Sequence, residues 1–133
     1  MANEKMGLLG RKLGMTQLFD DGGDVIPVTI IQLGPNTVLQ VKSEDGPDGY
    51  NAVQLGFEEA KAHKVTRPQK GHFERAGAAP VRHVREFRLS RDAASAYQAG
   101  QILNVNDVFT QGTHVDVSGT SKGRGFAGVM KRH

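Results

Sequence analysis

There is no cysteine among the 133 residues, which excludes disulfides and thiolate metal ligands. Residues 1–19 contain no apolar stretch of signal-peptide length, and no apolar run approaches the ~20 residues a membrane helix needs. A cytoplasmic protein without a membrane partner is therefore the expectation. Aromatic residues make up only 6% of the chain and are scattered, too thin a supply for the base-stacking platform of an RNA-recognition sheet. Internal repeats and low-complexity tracts are absent as well.

The usual carriers of catalysis are also missing. His63, His72, His83, His114 and His133 are not spaced as H-x-x-x-H and do not sit in H-E-x-x-H. Ser118 and Ser121 lack a G-x-S-x-G elbow, and the carboxylates cluster in turn-like segments where solvated acids belong. The expectation is a protein with no catalytic residue, no metal, no cofactor and no small-molecule substrate.

What the chain does have is sorted charge. The net charge is +3, yet residues 1–12 sum to +2, 13–60 to −7, 61–91 to +7, 92–118 to −3 and 119–133 to +4. A body with an acidic, water-facing side and basic segments aimed at a polyanion fits this distribution. An anionic membrane is the rival, but no basic amphipathic helix of useful length is visible.

The basic end is the most distinctive stretch. Residues 119–133 (GTSKGRGFAGVMKRH) contain four glycines, four Lys or Arg and no acid. Lys122, Arg124, Lys131 and Arg132 supply fixed positive charge, while Gly123 and Gly125 allow positive φ and close backbone approach. Phe126, Val129 and Met130 fall at i, i+3, i+4, so residues 125–132 could close into about two helical turns. Gly123, Gly125 and Gly128 also match G-x-G-x-x-G, but no ribose-binding acid ~20 residues on fits within a chain ending at His133.

Before that stretch the chain reads mostly as short strands. Residues 6–19 mix apolar residues with glycine bends and end at the turn signal Asp20-Asp-Gly-Gly-Asp24. Residues 25–33 and 37–42 read as a hairpin turning at Gly34-Pro35-Asn36, with Pro27 confined to an edge or a bulge. Residues 44–49 are a loop and 50–57 a further strand. Repeated strands with Gly/Pro turns and no intervening helix argue for a small closed antiparallel barrel or sandwich. Residues 68–76 suit a short helix with Gly77 behind it, Thr66 or Arg67 marking its start, and Lys70 on it. In and just beyond residues 81–89, Val81, Val84 and Phe87 recur every three residues, as do Arg82, Arg85, Arg88 and Arg91. That period suggests a helix, but the β-rich context favours a strand with uneven alternation; Glu86 and Glu74 can occupy only two of the arginines. Residues 93–98 allow a turn of helix, 102–105 a short strand, 106–109 a turn, and the alternation of 113–118 a final strand.

Residues 119–133 resemble the start of the long internal extension of the family of the third protein of the large ribosomal subunit, in its bacterial form. Residues 6–19 (MGLLGRKLGMTQLF) are similar to that family's opening strand, and residues 50–57 (YNAVQLGF) and 71–73 (GHF) follow in the family's order. Members of the family continue past this point, so the resemblance covers roughly their first two thirds. It implies a mainly β fold: a small Greek-key barrel like that of translation factors over residues 1–118, with a basic segment inserted at about 58–91 and a Gly-rich RNA-threading extension from residue 119. It also implies a structural constituent of the large subunit that binds its ribosomal RNA early in assembly, contacts neighbouring ribosomal proteins, and extends toward the peptidyl-transferase region. The RNA-binding candidates are then Arg11, Lys12, Lys70, Arg82, Arg85, Arg88, Lys122, Gly123, Arg124, Gly125, Lys131, Arg132 and His133. A translation-factor-like barrel that binds a protein or transfer RNA transiently is the alternative, and a nucleotide-binding enzyme a distant third.

Overall fold

A computed structural model describes residues 6–132. It is mainly β and antiparallel throughout, with strands β1 (Gly10–Phe19), β2 (Val25–Leu33), β3 (Asn36–Lys42), β4 (Ala52–Glu59), β5 (Val81–Arg88) and β6 (Ile102–Leu103). Helices α1 (Arg67–Arg75), α2 (Arg91–Ser95), α3 (Val105–Val108) and α4 (Val129–Arg132) lie between and after them.

The strands form two sheets, a β1–β2 ribbon and a four-stranded sheet in the order β5-β4-β3-β6. No closed barrel is formed among the described residues. The hairpin expected from 25–33 and 37–42 is not made either. β2 folds back on β1 across the Asp20–Asp24 turn, where the Asp20 Oδ1 accepts from the Gly22 and Asp24 amides. The chain then leaves the ribbon at Gly34, whose φ is 67°, and β3 joins β4 in the other sheet. Both turn signals were visible in the sequence, and the Asx-type bonds of Asp20 favour the first. Pro27 lies opposite Gln17 in a two-stranded ribbon, where every strand is an edge.

β4 lies inside the sheet and is covered on both faces. On one face Val53 and Leu55 pack with Val38, Leu89, Ala94, Leu103 and Met6 in the main core. On the other, Leu39 meets Phe73 and Ala76 of the α1 segment, with Val81 and Val84 at the margin. Gly56 lets this second layer close, because a Cβ there would stand 2.8 Å from Val81 and 3.1 Å from Leu39. β5 is a strand, and its period of three has a simple origin: Val81 and Val84 pack under α1, whereas Phe87 faces the main core.

Helix α1 starts and stops where its residues dictate. The Thr66 amide and hydroxyl both donate to the Gln69 Oε1 (3.2 and 2.9 Å), Pro68 occupies the first turn, and Gly77 closes the end at φ 66°. A chain of polar contacts ties α1 to the sheet. His72 Nε2 donates to Gln54 Oε1 (2.6 Å), Gln54 Nε2 to Glu86 Oε1 (3.0 Å), and the Tyr50 hydroxyl to Glu86 Oε2 (2.7 Å). Lys42 Nζ reaches the Tyr50 hydroxyl at 3.0 Å and Glu86 Oε1 at 3.0 Å.

The remaining expectations fare unevenly. Residues 113–118 form no strand, and Val115 and Val117 are exposed, because alternation stabilises a strand only where a neighbouring strand offers a ladder. Short helix α3 occupies the region expected as a turn. The helix expected over 125–132 shortens to the single turn α4, with Phe126 and Met130 in solvent.

Two predictions follow from this packing. Asn36, wholly buried, accepts from the Leu9 amide and donates to the Leu9 carbonyl, both at 3.1 Å. Replacing it with Ala leaves the Leu9 amide without a partner and its carbonyl with only the longer Gly34 bond, and should cost about 2 kcal/mol in denaturant unfolding, with faster amide exchange at Leu9. Burial alone would raise the Glu86 carboxyl, but bonds from Tyr50, Lys42 and Gln54 outweigh it and hold the group below its ordinary 4.5. A depressed carboxyl stabilises the fold fully above its unfolded value and loses that contribution as pH falls through the folded value. Unfolding followed from pH 5 downward should therefore show a shallower loss of stability in Glu86→Gln than in the parent chain.

Candidate nucleic-acid interface

The basic side chains divide into those the fold occupies and those it leaves for a partner. Lys42 is held by Tyr50, Glu86 and Asp48, and the first of these does most to raise its ammonium above the ordinary 10.5. Arg88 lies 4.5 Å over the Tyr50 ring on the same face, a cation–π contact that ties it to the sheet. Arg91 pairs with Asp45. Glu86 and Glu74, expected to neutralise arginines, pair with Lys42 and Lys70 instead.

Arg11, Arg82 and Arg85 converge, although Arg11 comes from β1 and the others from β5. With Leu9, Gly10, Phe57, Glu58, His83 and Gly119 they line an open hollow of about 460 Å³. Glu58 lies at its centre. Its Oε1 accepts from Arg11 Nη1 at 3.3 Å, its Oε2 from Arg82 Nη1 at 3.4 Å, and His83 Nε2 is 3.5 Å from Oε2. Arg11 and Arg82 are well exposed, at 65% and 59% of their side chains, so these pairs add little to stability and keep the guanidinium groups accessible. Arg82 also lines a second hollow of about 410 Å³ with Lys61, Lys64 and Gln69.

Glu58 and His83 were not among the sequence candidates. Glu58 belongs to the acidic stretch 13–60 and read as a solvated acid; the available signal was the Glu58-Glu59 pair closing a strand opposite an arginine-rich one. His83 shares the uninformative spacing of the other histidines, although it stands inside the Arg82–Arg85 cluster.

The other candidates are placed apart. Lys12 is on β1 and exposed, and Lys70 is on α1 within 3.8 Å of Glu74. Lys122, Gly123, Arg124 and Gly125 lie in an exposed segment without regular structure, Gly125 at φ 69° with open space around its Cα. Lys131 and Arg132 are in α4, and His133 lies outside the described residues. The arrangement offers fixed cations in an open hollow at the root of an exposed basic extension, suited to charge neutralisation. Among the described residues no group of three His, Asp or Glu could hold a metal ion, and no helix is long and apolar enough to cross a membrane.

Comparison with known proteins identifies the family. The family model for ribosomal protein L3 matches residues 83–133. The large ribosomal subunit protein uL3 of Parafrankia sp. (strain EAN1pec) is 57% identical over 127 residues, 96% of this chain and 52% of the relative. The uL3 of Gloeobacter violaceus is 57% identical over 129 residues (96% and 58%), and that of Oceanobacillus iheyensis 52% over 127 residues (96% and 59%). The chain thus spans somewhat more than half the length of the curated relatives it matches. Over the part of the family's length that it spans, the chain belongs to the ribosomal protein L3 family.

Proposed function

We propose that the chain is a non-catalytic, structural constituent of the large ribosomal subunit, located in the cytoplasm, that binds large-subunit ribosomal RNA and supports early assembly. The observation that carries this reading is the convergence of Arg11, Arg82 and Arg85 beside Gly119, where the basic, acid-free extension begins. Residues 1–118 act as the body, with the basic segment 58–91 exposing cations on β5 and the Ala62–Lys64 turn. Residues 119–133 pass between RNA strands toward the peptidyl-transferase region, their charges neutralising phosphates and their glycines admitting the chain to narrow gaps. Contacts of this kind sense RNA shape and do not read sequence. Closure of a Greek-key barrel and contacts with neighbouring ribosomal proteins belong to the same reading. Stable retention on large subunits through a high-salt wash distinguishes it from transient, factor-like binding.

Filter binding of the chain to large-subunit ribosomal RNA tests the electrostatic part. With six Lys or Arg contacts to phosphates, the slope of log affinity against log salt should be about −5; a slope near zero removes RNA from the reading. The division between body and extension is tested separately. Lys122, Arg124, Lys131 and Arg132 are exposed and lie outside both core clusters. Replacing all four by Ala should leave Tm unchanged within ~1 °C while weakening RNA binding at least tenfold and slowing incorporation into large subunits.

A further inference from the structure

Glu58 is the one acidic residue lining the hollow, and its backbone is unusual. Its φ is 63°, the only left-handed value at a non-glycine residue among those described. The β4–β5 register passes from Phe57–His83 to Glu59–Val81, so Glu58 has no registered strand partner. A left-handed conformation at a non-glycine residue costs about 1–3 kcal/mol and persists where the surroundings impose it. Here the kink sends the carboxylate into the hollow, between two guanidinium groups from different strands.

A carboxylate presents two oxygens to donors much as a phosphodiester presents its two non-bridging oxygens, and the guanidinium fork fits either. Two guanidinium groups on one carboxylate, with Arg85 also lining the hollow, leave surplus positive charge there. We propose that Glu58 holds the place of an RNA backbone phosphate: on binding, Arg11 and Arg82 exchange the carboxylate for a phosphodiester at the root of the extension. No covalent step is involved. The inference rests on the RNA-binding reading above and adds a site and an exchange to it. Without RNA, Glu58 holds one guanidinium on each of its two oxygens, so the site is preformed. RNA is favoured over an acidic peptide because Arg82 also lines the neighbouring hollow, where Lys61 and Lys64 outnumber the single acid Glu59. The first hollow also meets the acid-free residues 119–132, a track longer than a short peptide spans.

The test uses the 133-residue chain with large-subunit ribosomal RNA as the probe. Glu58→Gln removes the competing charge and should bind about threefold tighter, while Asp21→Asn, the same charge change at the hairpin tip, should leave affinity unchanged. Arg82→Ala and Arg11→Ala should each weaken binding and reduce the magnitude of the salt slope by about 1. The Arg11 and Arg82 Nε–H signals should move both on adding RNA and in Glu58→Gln without RNA. If Glu58→Gln binds no tighter than Asp21→Asn, the exchange is wrong. Should Glu58→Gln not fold, the arginine variants decide, and unchanged affinity in both overturns the proposal. Polyglutamate displacing RNA as well as an RNA homopolymer of equal charge overturns it too, in favour of an acidic protein partner. Parent chain that binds RNA steeply while these variants match it sinks only the exchange; parent chain that does not bind RNA sinks the wider reading.

Discussion

The arrangement of this molecule depends on one buried amide. Asn36 opens β3, in register with Phe57 on one side and Leu103 on the other, and its side chain bonds both main-chain groups of Leu9. The Gly34 amide reaches the same Leu9 carbonyl at 3.4 Å. These bonds pin the segment that enters the β1–β2 ribbon to the four-stranded sheet. Two residues beyond Leu9 stands Arg11, and directly after Phe57 stands Glu58, so the geometry of the basic hollow follows from that attachment. A buried amide satisfied on both its donor and acceptor sides allows one alignment of the two sheets and penalises any slip.

Strand propensity and capping were legible residue by residue. Thr66, Pro68 and Gly77 marked α1 nearly to the residue, because local bonds decide helix ends. The strands of residues 25–42 and 50–57 were located, but their partners were not. Pairing depends on which apolar faces meet across the chain, and the β-rich flanks of Gly34 and of the Asp20–Asp24 turn read alike. The final strand misread at 113–118 is the same failure: alternation reports what a segment tolerates, not whether a ladder exists for it. In the site, the sequence supplied Arg82 and Arg85 but could not tell them from Arg88, which stacks over Tyr50. For Glu58 the sequence offers only an acidic pair facing an arginine-rich strand; where its carboxylate goes depends on a positive φ.

The fold sorts its cations by the partners it gives them and not by position along the chain. Lys42, Arg88 and Arg91 are each engaged by Tyr50, Glu86 or Asp45, while Arg11 and Arg82 share the single carboxylate of Glu58 and Arg85 lines the same hollow. The first group stiffens the sheet on which α1 rests. The second is held by weak, exposed pairs, and such pairs exchange partners at little cost.

The β1–β2 ribbon carries Leu13, Met15, Leu18, Phe19, Val25, Ile26, Ile30 and Ile31 more than a third exposed, with an open edge on each strand. Flat apolar strands with unpaired edges template further strands. In handling terms, a free solution of the chain has a colloidal limit set by this ribbon and not by the unfolding of its core. Time spent at high concentration, in a test tube or in a cell, is the quantity that governs how much of it stays monomeric.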